Sequence, residues 1–329
     1  MDRTKLAEIA EKFQGKKIAV VGDISVDSYC HGKLRADNPD KKDKPLLTAE
    51  KEINSLGCGG NCAANVASLG GKAVFYGAIG EDSDGKIIEE ICKNQGVEGR
   101  FQKDGKTIVK RRFLADEYIA RVDYGESDLT DLSEELKEKV IEEIQNEGPD
   151  AIILSDYNKR AFRGNLAERI IRIAGEKGIP VIVDPKPANI DKFAGASVIC
   201  PNLKEGMEIT GLNGLEEIAK NLKEKIGCRA VVLTLSEDGM IVYQDSIKKL
   251  NSYAENIIDV MGAGDTLKAG IALAIASGAD IFEAAEIGNI AAAIAVENTG
   301  TKCVTNQELI ERIKEIKIPR PRDKLIRSV

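Results

Sequence analysis

Two rhythms of apolar and polar positions succeed each other along the chain, and together they predict an α/β protein. Lys17–Asp23 (Lys-Ile-Ala-Val-Val-Gly-Asp) is a continuous apolar run ending in Gly-Asp. That is the pattern of a buried parallel strand that delivers polar residues at its C-terminal end. A small-residue helix from Ala63 to Leu69, a strand at Val74–Ile79 and a helix to Asn94 follow. Farther on the alternation is regular. Strand Ala151–Ser155 leads to helix Asn165–Glu176, strand Val181–Asp184 and the short strand Val198–Cys200, then helix Leu215–Ile226 and strand Ala230–Thr234. This rhythm predicts a doubly wound, mostly parallel sheet with helices on both faces, right-handed crossovers and ligands at the C-terminal strand edge. Asp23, Ser155-Asp156, Asp184 to Lys186, Asn202 and Thr234 fall at that edge.

The remaining segments depart from the rhythm. Thr107–Leu114 and Tyr118–Tyr124 read as strands around the turn Ala115-Asp116-Glu117, charged on one face as a half-exposed hairpin would be. Tyr29 to Ile53 reads as irregular and charged. Segments 24–56 and 100–125 are expected to form a small β flap, or lid, on the main sheet. Charged helices are predicted over Met1–Lys17 and Ser133–Asn146, small-residue helices after Asp265 and over Ile281–Glu297, and a last helix over Asn306–Ile316. No repeat or linker divides the chain. Residues 1–318 are therefore expected to form one domain, followed by a basic tail at 319–329.

Composition narrows the function classes. With 329 residues, 43% of them apolar, the chain can bury a sizeable core. Its net charge of −7 comes without a concentrated basic block. This argues against nucleic acid or an anionic membrane as a partner, whereas a small anionic substrate needs only a local basic pocket. No run of eighteen apolar residues occurs and the N-terminal segment is no signal peptide, so a cytoplasmic protein is expected. Seven cysteines without framework spacing suggest reduced thiols. Cys58 and Cys62 are four apart, but with one histidine, His31, soft ligands are too few for zinc. His31 itself has a loop-like, solvated setting, which removes Ser-His-Asp chemistry.

The chemistry concentrates between Ile258 and Gly270. Gly262-Ala263-Gly264 lets the backbone turn tightly, so that the first N–H groups of the following helix can face an anion. Asp265 sits at the mouth of that helix. One reading makes it a general base that takes a hydroxyl proton while the amides hold developing charge. The other makes Gly-x-Gly-Asp-Thr an ordinary capped helix start. Asp23 and Asp27 likewise suit sugar hydroxyls, a metal, or plain solvation.

Taken in order, Gly22-Asp23 with Asp27, the glycine-rich approach to Asn61, Pro201-Asn202-x-x-Glu205 and Gly262-Ala263-Gly264-Asp265-Thr266 resemble the ribokinase (PfkB) family of sugar kinases. The resemblance runs from Lys17 to about Ile316. Leu154-Ser155-Asp156-Tyr157-x-Lys159, Val183-Asp184-Pro185-Lys186, Thr107-Ile108-x-Lys110-x-Arg112, Arg121-Val122-Asp123 and Ala291-Ala292-Ala293 are similar to the branch acting on the anomeric position of D-glycero-D-manno-heptose 7-phosphate. That kinase is often fused to a nucleotidyltransferase with a His-x-Gly-His motif, which one histidine cannot make. The kinase half alone is expected here.

The resemblance implies a ribokinase-like fold and roles for individual residues. Asp265 would be the base, with the amides of Gly262, Ala263 and Gly264 as the anion hole. ATP and Mg²⁺ would be the cofactors. Asn202, Leu203, Lys204 and Glu205 would orient the nucleotide phosphates and a water-linked Mg²⁺. Thr234, Ser236, Gly239, Asn289 and Gly300 would line the nucleotide pocket. Asp23, Asp27, Gly59, Gly60 and Asn61 would hold the sugar, and Lys110, Arg112, Arg121 and Lys186 its phosphate. The partners implied are a small sugar phosphate and a second copy of the chain, paired as a homodimer through the lid. Two departures from the family pattern are Cys58 in place of a glycine and Met261 in place of a threonine.

Overall fold

The first strand sets the layering, because its alternate residues enter opposite cores. A computed structural model describes residues 2–41, 43–127, 129–146 and 148–316; the basic tail expected at 319–329 lies outside them. Helix α1 (Arg3–Glu11) is capped by Asp2, which accepts the N–H of Thr4 at 2.9 Å. Strand β1 (Lys17–Gly22) runs on into β2 (Ile24–Arg35), which pairs with β3 (Leu46–Cys58) as an antiparallel hairpin. β3 passes without a linker into α2 (Gly59–Ser68). Then come β4 (Lys72–Ile79), α3 (Ser83–Asn94), β5 (Val97–Lys103), β6 (Ile108–Leu114), β7 (Tyr118–Tyr124) and α4 (Glu134–Asn146). β8 (Ala151–Ser155), α5 (Leu166–Lys177), β9 (Val181–Asp184), β10 (Val198–Ile199), α6 (Leu203–Thr210), α7 (Leu215–Ile226) and β11 (Ala230–Thr234) build the second wing. An edge hairpin, β12 (Met240–Tyr243) and β13 (Ile247–Leu250), precedes α8 (Ala263–Ala276), α9 (Ile281–Val296) and α10 (Asn306–Glu315).

Among the described residues the main sheet has nine strands in the order β13-β12-β11-β10-β9-β8-β1-β4-β5, all running the same way except β12, which pairs antiparallel with both neighbours. Ile18 and Val20 point into a core with α1, α2, α8, α9 and α10, while Ala19 and Val21 point into one with α4, α5 and α7. Both faces are thus covered by helices, as a parallel sheet requires. The strand order turns back between β1 and β8, where Gly22 lies opposite Ser155. Such a switch point leaves a crevice at the strand ends. Among the described residues no helix is long and apolar enough to cross a membrane.

A second sheet, β3-β2-β6-β7, forms the lid. The segment expected to be irregular, Tyr29 to Ile53, is irregular only over 36–41 and 43–45 among the described residues; on either side it forms two long paired strands. Toward its tip the hairpin is exposed on both sides, so no buried face imposes a period of two on the sequence. His31 therefore sits exposed on β2, not in a loop. The second lid segment also starts later than expected. Residues 97–103 pair with β4 at the edge of the main sheet, and their charges suit an exposed edge.

Candidate active site

Gly262 opens α8 with φ at +78°, and a Cβ there would come within 2.7 Å of Asn61 Nδ2. Glycine thus both turns the chain and admits the asparagine. The N–H of Ala263 points to Val260 O at 3.4 Å, and that of Thr266 to Gly262 O at 3.0 Å. Those of Gly264 and Asp265 have no partner among the described residues and line the crevice at the positive end of the helix dipole. The amide of Ala263, expected in the anion hole, is turned away from it, and Ala263 is not on the crevice wall.

Asp265 is 6% exposed and held on both oxygens. Asn61 Nδ2 donates to Oδ2 at 2.8 Å, the Tyr157 hydroxyl donates to Oδ1 at 3.1 Å, and Lys268 Nζ lies 3.2 Å from Oδ1. Asn61 is fixed in turn by Asn65, whose Nδ2 donates to Asn61 O at 2.9 Å and whose Oδ1 accepts the Thr266 hydroxyl at 3.0 Å. Lys268 also donates to Asp184. Burial pushes the Asp184 carboxyl up, against the pull of Lys268. Burial favours a neutral Lys268, but Asp184 and Asp265 outweigh it and hold the ammonium above its ordinary range. Burial, reinforced by the charge of Asp265, pushes the Tyr157 phenol well up, so it stays a donor.

Beyond Asp265 the crevice encloses about 190 Å³ and reaches Asn202, Glu205 and Thr234. Asn202 and Glu205 form a reciprocal capping box for α6. Asn202 Oδ1 accepts the Glu205 N–H and Glu205 Oε2 the Asn202 N–H, both at 2.9 Å. The other Glu205 oxygen pairs with Lys186. Lys186, expected near the sugar phosphate, is therefore on the Asn202–Glu205 side. Leu203 packs into the core beneath α6 and Lys204 is exposed. Ser236 is exposed, and Gly239, at φ +87°, backs onto Leu250 O. Asn289 Nδ2 donates to Asn251 O at 2.8 Å, and Gly300 N–H to Asp259 Oδ2 at 3.0 Å. None of these last six residues lines the crevice.

The lid side shows a similar sorting. Asp23, expected to hold the sugar, instead accepts the backbone N–H groups of Lys159, Arg160 and Ala161 at 3.1, 2.9 and 3.0 Å. A carboxylate offers about four acceptor positions, so three amides leave Asp23 about one for a hydroxyl. Gly59 donates to Asp23 O at 2.9 Å and Gly60 packs under Ile24. Asp27 is buried in β2, receives the Ser25 hydroxyl at 3.2 Å and pairs with Arg112 at 3.3 Å. Arg112 lies over the Tyr29 ring, 5.1 Å from its centre, and Lys110 lies over the Tyr157 ring at the same distance. Lys110 also donates to Cys58 Sγ at 3.0 Å. Burial pushes the Cys58 thiol up to about 11, against Lys110. Arg121 pairs opposite Arg112 on β7 and is tied to Asp123 at 2.6 and 2.7 Å. Asp265, Asn61, Lys110 and Tyr157 thus converge, whereas Asp23 and Arg121 are committed elsewhere.

Tyr157, Asp184, Lys268 and Asn65 received no role from the sequence. For Lys268 a signal was present, since it is the lone cation in a helix of small apolar residues. No group of three or more His, Cys, Asp or Glu among the described residues is placed to hold a metal.

The chain matches the family described as pfkB family carbohydrate kinase over residues 16–307. It is 34% identical over 304 residues to the bifunctional protein HldE of Campylobacter jejuni, covering 90% of this chain and 64% of that protein. The HldE of Sulfurimonas denitrificans is likewise 34% identical, over 312 residues, with the same coverage. The chain thus spans about 64% of the length of these curated relatives. Among solved structures, Arabidopsis thaliana ribokinase complexed with ribose and ATP superposes with a TM-score of 0.70 at 20% identity, covering 92% of this chain and 99% of that one. Escherichia coli phosphofructokinase-2 in complex with substrates and products gives 0.75 at 18% identity, covering 91% and 98%. At these identities the superpositions establish the ribokinase-like fold.

Proposed function

The chain belongs to the pfkB family of carbohydrate kinases and is a phosphotransferase, and from that premise we propose that it phosphorylates the anomeric hydroxyl of D-glycero-D-manno-heptose 7-phosphate with ATP. The observation that carries this reading is the placement of Asp265. It stands beside two helix amides unpartnered among the described residues, and Lys110 and Lys186 lie 5.1 and 5.6 Å from the ring centre of its tyrosine partner. Asp265 takes the proton of the hydroxyl, the sugar oxygen bonds to phosphorus, and the bond to ADP breaks. The amides of Gly264 and Asp265 stabilise the charge that builds on the transferred group. Positioning supplies most of the rate, and lid closure excludes water.

The donor set fits a hydrated magnesium ion. Both Glu205 oxygens are already engaged and no carboxylate cage surrounds the site among the described residues, so Asn202 and Glu205 would hold the ion through water. When bound, it supplies charge neutralisation at the nucleotide phosphates. Lys110, over the Tyr157 ring, and Arg112, beside Asp27, would receive the sugar phosphate, Arg being suited to a two-pronged grip on phosphate oxygens. Leu34, Tyr118, Val122 and Tyr124 leave apolar surface exposed on the lid, which supports pairing of two lids in a homodimer.

An acceptor panel read by ATP consumption tests the substrate. Turnover should be highest with the heptose 7-phosphate and fall at least about tenfold without the 7-phosphate, since a site built around a polar group discriminates strongly against its loss. Preference for free ribose or fructose would reject the heptose assignment and keep the kinase.

A further inference from the structure

Lys268 stands out among the charged groups that no role accounts for. Its side chain is 4% exposed on a helix of small apolar residues, and a buried ammonium is far more costly to desolvate than an apolar side chain of similar length. It sits on the crevice wall, 3.2 Å from Asp265 Oδ1. A Cβ placed on Gly264 would lie 3.8 Å from its Nζ, so the ammonium shares the space in front of the unpartnered Gly264 amide. Its remaining partner is Asp184 at the end of β9.

We propose that Lys268 is a catalytic cation of the phosphoryl transfer, reaching an oxygen of the migrating group from beside the general base. The inference rests on the kinase reading above. An acceptor hydroxyl must lie within hydrogen-bond reach of Asp265, with phosphorus in line beyond it. Oxygens on that phosphorus then fall between the Gly264 amide and the Lys268 ammonium. During the step the hydroxyl proton passes to Asp265, the sugar oxygen–phosphorus bond forms, and the bonding pair of the broken phosphorus–oxygen bond leaves on ADP. Lys268 keeps its protons throughout and exchanges part of its contact with Asp184 for the phosphoryl oxygens. Asp184 thereby acts as a positioning residue that parks the ammonium between turnovers.

The rival explanation is that Lys268 only neutralises Asp184. Removing Lys268 alone would leave Asp184 buried and unpaired, so the deciding comparison is Asp184→Asn against the double variant Asp184→Asn/Lys268→Met. Calorimetry measures their affinity for ADP alone and for ADP with aluminium fluoride and the sugar acceptor, a mimic of the migrating phosphoryl group. The proposal predicts ADP affinities that agree, a mimic complex weaker by about tenfold or more in the double variant, and a kcat lower by about 10²- to 10³-fold at similar KM. Equal affinity for the mimic and equal kcat in the two variants would overturn it and leave the kinase reading standing. Absence of ADP binding by the unaltered protein would overturn both.

Discussion

Asp265 and Gly262 carry the most direct predictions at the scale of single residues. Asp265→Asn should lower kcat by about 10²- to 10⁴-fold with KM little changed, as steady-state kinetics would show, because it removes the base and leaves the crevice shape intact. Near-normal turnover would take Asp265 out of that role. Gly262→Ala meets a left-handed backbone and the Asn61 amide together. It should cost about 1–3 kcal/mol in denaturant unfolding and depress kcat by displacing Asn61 from Asp265. The location of Asp265 was legible because two glycines and a carboxylate stand side by side in the sequence. Asp184 was legible as a polar residue at the strand edge and Lys268 as a lone cation among small residues, but their meeting with Tyr157 was not, since the three come from separate segments that join only once the sheet forms. Asp23 shows a related ambiguity. A carboxylate after a strand serves neighbouring amides as readily as a ligand, and nothing local tells which.

At the scale of elements, α6 and the α8–α9 pair make different demands. The capping box binds Asn202 and Glu205 to the start of α6, so part of what resembles a functional motif is helix chemistry. Asn202→Ala should cost about 0.5–2 kcal/mol of stability, measured by thermal unfolding, beyond any effect on nucleotide affinity. Where α8 meets α9, a Cβ on Gly288 would come 2.7 Å from Leu267 O. Gly288→Ala should therefore destabilise by about 1–3 kcal/mol, and by spreading α9 from α8 it should also disturb Lys268. The small-residue composition of both helices was readable as close packing. The hairpin β2–β3 and the edge strands β5 and β13 were harder, because half-exposed or edge strands carry charges that mask the period of two.

For the whole molecule, the βα rhythm predicted the sheet, and the strands read at Thr107–Leu114 and Tyr118–Tyr124 stand where β6 and β7 do, while the β2–β3 half of the lid escaped because the outer parts of its strands take their shape from pairing rather than burial. Stability should respond to acid through the surface anchors. Burial opposes ionisation of Asp82, Glu297 and Glu308, yet hydrogen bonds from Thr107, Arg312 and Lys302 outweigh it and hold these carboxyls below their ordinary range. Carboxyls depressed in the folded state stabilise it above their unfolded values, and that contribution is lost as pH falls through the folded ones. Calorimetry should show a thermal midpoint that is level at neutral pH and drops below about pH 4. Asp82→Asn should lower the neutral plateau and soften the drop, since Asp82 pins the start of β6 through Thr107. The direct joins of β1 to β2 and β3 to α2 have a mechanical consequence as well. The hairpin is a stiff lever of 12- and 13-residue strands, rooted at two adjacent points with no slack between them. A strand of that length spans about 40 Å, so a rotation of about 10° at the root would sweep the far end through about 7 Å. A small twist beside the acceptor would therefore become a large displacement at the rim of the molecule, where a second chain could feel it.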